Sequence, residues 1–100
     1  MSVYTLELAD GCFYIGYSDD VDRRIAEHFL GRGSMWTRLH APVRVLDVVP
    51  GTKDLENCTT IARMVEHGWR FVRGGAWCSV QLTSMPLPLA RALAGKPLRK

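Results

Sequence analysis

Val3-Tyr4-Thr5-Leu6-Glu7-Leu8-Ala9-Asp10-Gly11-Cys12-Phe13-Tyr14-Ile15-Gly16-Tyr17 decides the fold. Two short β-branched and aromatic runs, Val3 to Leu8 and Phe13 to Tyr17, flank the turn dipeptide Asp10-Gly11, so the stretch reads as a β-hairpin. Side chains alternate faces along a strand, which makes the loop length decisive. A two-residue loop would set Ala9 against Cys12 and Tyr4 against Tyr17, with Tyr14 on the opposite side of the sheet from Tyr4.

Downstream, Asp19 or Asp20 can cap a helix whose apolar positions Val21, Ile25 and Phe29 recur every four residues, and Gly31 ends it. Residues 31 to 41 are glycine-bearing and aperiodic, which predicts a loop with at most one helical turn. Pro42 then leads into a third strand, Val43 to Val49, closed by Pro50-Gly51. A second helix is expected from about Lys53 to His67, with Leu55, Cys58, Ile61, Ala62 and Val65 on one side and Gly68 as its stop. Val72-Arg73-Gly74-Gly75 reads as a basic loop, Ser79 to Leu82 as a short extended piece, and Pro88 to Leu93 as a small helix leading to Lys96, Arg99 and Lys100. The order predicts an α+β protein: a small three-stranded, mainly antiparallel sheet flanked by helices.

One hundred residues make one domain, and 47% hydrophobic residues suffice for one modest core. No long apolar run and no basic-then-apolar leader is visible, so a soluble, cytoplasmic protein away from membranes is expected. Cys12, Cys58 and Cys78 are odd in number and unrelated in spacing, which argues against a disulfide framework or a zinc site and predicts reduced, packed thiols. The net charge of +3 conceals an asymmetry: residues 1 to 22 hold five acids and no Lys or Arg, whereas residues 63 to 100 hold seven cations and only Glu66. Ten of the thirteen cations are Arg, whose planar fork suits phosphate oxygens. Such a surface fits a polyanionic partner, and it equally fits an ordinary solvated basic surface.

Val3-Tyr4, Tyr14-Ile15-Gly16, Arg24-Ile25, His28 and Leu55-Glu56-Asn57 resemble, in order and spacing, the GIY-YIG nuclease superfamily, and within it the small single-domain type. Ser2 stands where the family's first glycine would be. The resemblance covers roughly residues 2 to 77 and implies a nuclease domain over 1–78 with a C-terminal extension over 79–100. It implies a metal-dependent DNA endonuclease: Tyr4 or Tyr14 as general base, Arg24 and His28 at the scissile phosphate, and Glu56 binding one Mg²⁺ or Mn²⁺ ion. Arg24 and His28, four residues apart, project from one helical face, and a histidine is partly charged near neutrality. A phenol is a poor base unless nearby cations depress its pKa, and Arg24 is such a cation. One shared site requires Tyr4 and Tyr14 on the same face. That predicts a three-residue connection with a glycine bulge at Gly11, or a bulge elsewhere in the pair.

Two further segments carry the parts for holding nucleic acid. Arg32, Ser34, Thr37 and Arg38 offer cations and hydroxyls beside bare glycine backbone, and Trp36 offers a stacking surface. Arg70 and Arg73 would track the backbone further along. Many members of the family carry an asparagine a few residues beyond the second helix, where this chain has Phe71. That departure favours the rival reading, a weakly active or inactive nucleic-acid-binding module of the same fold. A protein-interaction domain with Met85-Pro86-Leu87-Pro88 as docking arm is a third. With so few phosphates within reach of one domain, specificity would come from DNA shape, a homodimer or a recruiting partner.

Overall fold

In a computed structural model that describes residues 1–95, strand β1 (Ser2–Leu8) pairs antiparallel with β2 (Phe13–Ser18), Tyr4 opposite Gly16 and Leu6 opposite Tyr14. The connection is the expected three residues, Ala9–Gly11, wound as a 3₁₀ turn. Asp10 as well as Gly11 takes a left-handed conformation there, with φ of 65° and 71°. A short polar aspartate tolerates that region better than most side chains. Because the loop is odd in length, Tyr4 and Tyr14 share a face.

The sheet has four strands, in the order β3-β1-β2-β4, rather than three. Strand β3 (Pro42–Pro50) lies antiparallel on the outer side of β1, with register breaks that leave Leu46 and Val43 as extra residues. Strand β4 (Val72–Gly74) corrects the expectation of a basic loop: it runs parallel to β2, with Val72 beside Phe13 and Gly74 beside Ile15. Gly74 is needed at that spot, since a Cβ there would stand 2.4 Å from the Ile15 carbonyl oxygen and 2.8 Å from Thr60 Oγ1.

Helices cover both faces. On the side of Tyr4, Leu6, Leu8, Cys12 and Tyr14 pack Trp36 and, from helix α1 (Val21–Phe29), Val21 and Ile25. The side chain of Asp20 caps α1, but Phe29 is exposed and His28 takes the buried place. A four-residue step drifts against the 3.6-residue turn, which brings residue 28 rather than 29 back under residue 21. Within the expected loop, Ser34 caps a short helix α2 (Met35–Leu39). On the opposite face, α3 (Lys53–His67) and α4 (Leu87–Gly95) close over Val3, Ile15 and Val72 with Met64 and Leu89. Helix α3 has the expected bounds, and Leu55, Ile61 and Val65 of its expected stripe pack on the core, joined by buried Thr60 and Met64, whereas Cys58 and Ala62 are exposed. Cys12 is buried, and Cys58 and Cys78 are exposed, so only one of three free thiols packs. Ser79 to Leu82 forms no strand. Lys96, Arg99 and Lys100 lie outside the described residues, among which no helix is long and apolar enough to cross a membrane.

Candidate active site

The hairpin and α1 meet around one imidazole. His28 is fully buried, with Tyr4 Oη 2.7 Å from its Nε2 and Thr37 Oγ1 3.0 Å from its Nδ1. The Tyr14 ring stands over the same imidazole at 4.9 Å between centroids and 6.3 Å from the Tyr4 ring. Two glycines make this packing fit. A Cβ at Gly16 would stand 2.1 Å from Tyr4 Cζ, and one at Gly33 would stand 1.9 Å from His28 Nδ1.

Arg24 lies one turn before His28 on α1, about one-third exposed, and its Nη1 donates to Glu27 Oε1 at 2.9 Å. Its charge is felt by Tyr4, Tyr14 and His28 alike. Glu56, in the first turn of α3, is close enough for its charge to act on both phenols. Of the five sequence-predicted residues, Tyr4, Tyr14 and His28 meet directly, and Arg24 and Glu56 lie within electrostatic reach of both phenols.

Electrostatics here differ from the sequence expectation. Burial pushes both phenols above their ordinary pKa, and the opposing pull of Arg24 does not overcome it. Burial, with the Arg24 charge adding, lowers His28 to about 4. The imidazole is thus neutral near pH 7 rather than partly charged, and it meets the Tyr4 phenol as a neutral partner.

Glu56 is held from the far side by the turn after β4. The Gly75 backbone lies close enough to pull its pKa down against burial, while Asn57 Oδ1 accepts from Ala76 N at 3.0 Å. Asn57 is a supporting residue that the sequence quoted only as part of a motif. Gly75 has a φ of +53°, and a Cβ there would lie 2.2 Å from Asn57 Oδ1. Glu56 makes no ion pair among the described residues, and burial raises its pKa. A half-buried carboxylate with spare lone pairs and uncompensated charge suits Mg²⁺ or Mn²⁺, which keep several waters and take one or two carboxylates. Among the described residues no group of three or more His, Cys, Asp or Glu forms an all-protein cage.

The expected nucleic-acid contacts divide. Arg32, Arg38 and Arg70 are exposed, Arg70 lying 4.9 Å above the Trp69 ring centroid. Ser34 spends its hydroxyl on the Thr37 N–H at the start of α2. Three residues are corrected. Trp36 is buried, and its Nε1 donates to the Phe13 carbonyl at 3.0 Å, so it offers no face to a base. Thr37 is 1% exposed and turned to His28. Arg73, 3% exposed, donates to the carbonyls of Trp69, Val72, Ser79 and Val80 and lies 4.4 Å from the Trp36 ring centroid. Its fork ties the C-terminal segment to the sheet instead of reaching a phosphate. Phe71 is exposed, in a 3₁₀ turn that follows α3.

The family model described as the GIY-YIG catalytic domain matches residues 1–63. A UPF0213 protein of Halalkalibacterium halodurans is 50% identical over 44 residues, which is 44% of this chain and 47% of that protein. One from Halobacterium salinarum is 51% identical over 41 residues, 41% of this chain and 53% of the relative. A third, from Streptococcus pneumoniae, is 46% identical over 44 residues, 44% of each. The matched stretch thus spans about half the length of these curated relatives. No solved structure matches the chain.

Proposed function

The chain belongs to the GIY-YIG catalytic domain family, and from that premise we propose that it is a divalent-metal-dependent DNA endonuclease that hydrolyses phosphodiester bonds. Residues 1–78 would form the nuclease unit, and 79–100 an extension whose Leu89 helps complete the core. The observation that carries the reading is the 2.7 Å contact between Tyr4 Oη and the Nε2 of a buried, neutral His28.

A neutral imidazole can take the phenolic proton, which leaves the Tyr4 oxygen free to take one from water. As that proton leaves, the water oxygen bonds to phosphorus and the bond to the leaving oxygen breaks. The leaving oxyanion is protonated from solvent, and the proton held by His28 returns to solvent through the phenol. Arg24 would release Glu27 and pair with the phosphate oxygens, for which its planar fork is well shaped. Glu56 would hold the ion, Mg²⁺ or Mn²⁺, which would supply Lewis-acid stabilisation of developing negative charge. Tyr14, beside the His28 ring and within reach of the Arg24 charge, would donate to a non-bridging oxygen. Arg32, Arg38 and Arg70 are the exposed cations left to hold the flanking strand.

Supercoiled plasmid and branched duplexes incubated with the protein, with and without Mg²⁺, test this. Nicking that requires the metal, and that Tyr4→Phe and Glu56→Gln each reduce by roughly 100-fold or more, is expected. Retardation of DNA with no nicking under any condition would leave the rival, a binding module of the same fold, as the correct reading.

A further inference from the structure

Thr37 Oγ1 sits 3.0 Å from the Ser34 carbonyl oxygen and 3.0 Å from His28 Nδ1. The single proton of the Thr37 hydroxyl has three acceptors within reach, the Ser34 carbonyl, the Ser34 hydroxyl at 3.3 Å and His28 Nδ1. Given to the carbonyl, it leaves the hydroxyl oxygen to meet Nδ1 as an acceptor. In that arrangement Nδ1 carries the ring proton, and Nε2 turns its lone pair toward the Tyr4 hydroxyl.

We propose that Thr37 is a positioning residue for the cleavage reaction: anchored by the Ser34 carbonyl, its hydroxyl locks His28 in the Nδ1–H tautomer, which aims the basic Nε2 at the Tyr4 phenol. The proposal deepens the nuclease reading and rests on it.

Three observations support the lock. Neither His28 nor Thr37 has solvent access, so no water competes for either ring nitrogen. Gly33 lets the loop close against the Nδ1 edge, where a Cβ would overlap the imidazole. Ser34 fixes the loop from the other side, its hydroxyl accepting the Thr37 N–H at 3.2 Å. In the opposite tautomer the Thr37 hydroxyl would have to turn its proton from the Ser34 carbonyl to Nδ1 and give up that bond, which disfavours the form by roughly fivefold to tenfold. When the phenolic proton arrives at Nε2, the resulting imidazolium keeps Nδ1–H on Thr37 and donates Nε2–H to the phenolate. The same hydroxyl thus serves both charge states of the ring.

A long-range proton–nitrogen correlation spectrum of the histidine rings at neutral pH, on the full chain, reads the tautomer directly. The unaltered protein should show a protonated Nδ1 and an unprotonated Nε2 for His28. Thr37→Val, close in shape and without the hydroxyl, should shift His28 toward the other tautomer or a mixture and lower kcat for nicking by roughly fivefold to tenfold with KM little changed. Thr37→Ser should restore both. A protonated Nε2 in the unaltered protein, or an unchanged tautomer in folded Thr37→Val, overturns the proposal. Should Thr37→Val not fold, the unaltered and Thr37→Ser spectra still decide it. A protein that shows the Nδ1–H tautomer and never nicks counts against the nuclease reading and not against the lock.

Discussion

Gly16 lies directly across the β1–β2 ladder from Tyr4, and the phenol covers the place where a side chain at residue 16 would stand. Position 16 is therefore a seat for the candidate base, one strand away from it. Gly16→Ala should cost about 1–3 kcal/mol through overpacking and displace the phenol from His28. Gly11→Ala is the control: nothing lies within 4 Å of its Cβ, so only the strain of a φ of +71° remains, about 1 kcal/mol. Urea unfolding midpoints and plasmid nicking compare the two. Equal nicking rates would show that Gly16 does not seat the phenol.

His28 gives the stability a defined pH dependence. Its pKa in the fold is about 4 against an ordinary 6.5, so between those values the unfolded chain binds a proton that the native state refuses. Stability should fall as pH drops from about 6.5 to about 4, by an amount on the order of 3 kcal/mol, and this contribution should level off below. In His28→Gln the slope across that window should flatten. Denaturant titrations at a series of pH values read this directly, and a slope that survives the substitution would assign it elsewhere.

Glu56 places activity and stability in opposition. Burial raises its pKa without an ion pair to compensate, so at neutral pH its ionisation costs the fold some stability. Glu56→Gln should abolish metal-dependent nicking while leaving the thermal midpoint unchanged or higher. A clear drop in midpoint would mean that the carboxylate is chiefly structural.

The arginines separate into two groups with opposite signatures. Arg73→Met leaves four carbonyl contacts without their donor and should destabilise by about 2–4 kcal/mol. Arg32→Gln and Arg38→Gln should cost little stability. Each should reduce the salt slope of DNA binding by about one unit. Filter binding across a salt series, beside thermal melts, distinguishes the groups, and a reduced slope for a folded Arg73 variant would return that residue to the interface.

Much of this arrangement was legible in local pattern. The three-residue turn followed from requiring two tyrosines on one face, and the bounds of α3 followed from periodicity and the Gly68 stop. What escaped were features set by distant partners. Strand β4 is three residues long and half-disguised by Arg73 and Gly74, and only its pairing with β2 defines it. Trp36, Thr37 and Arg73 have the composition of a nucleic-acid contact, yet each turns inward because a partner outside its own element, Phe13, His28 or Ser79, shares its hydrogen bond. Phe29 read as core because a four-residue step imitates the helical period over two turns only.

The bulges at Val43 and Leu46 bear on whether the outer edge of β3 can pair with another strand. Val43, Val45, Val48 and Val49 leave β3 an apolar border to the sheet, the kind of edge that templates fibrils. A straight foreign strand laid along it would lose step at each extra residue, so the peptide groups fall out of phase before a ladder can lengthen. The valines can remain in view of solvent because the backbone beneath them refuses to be copied.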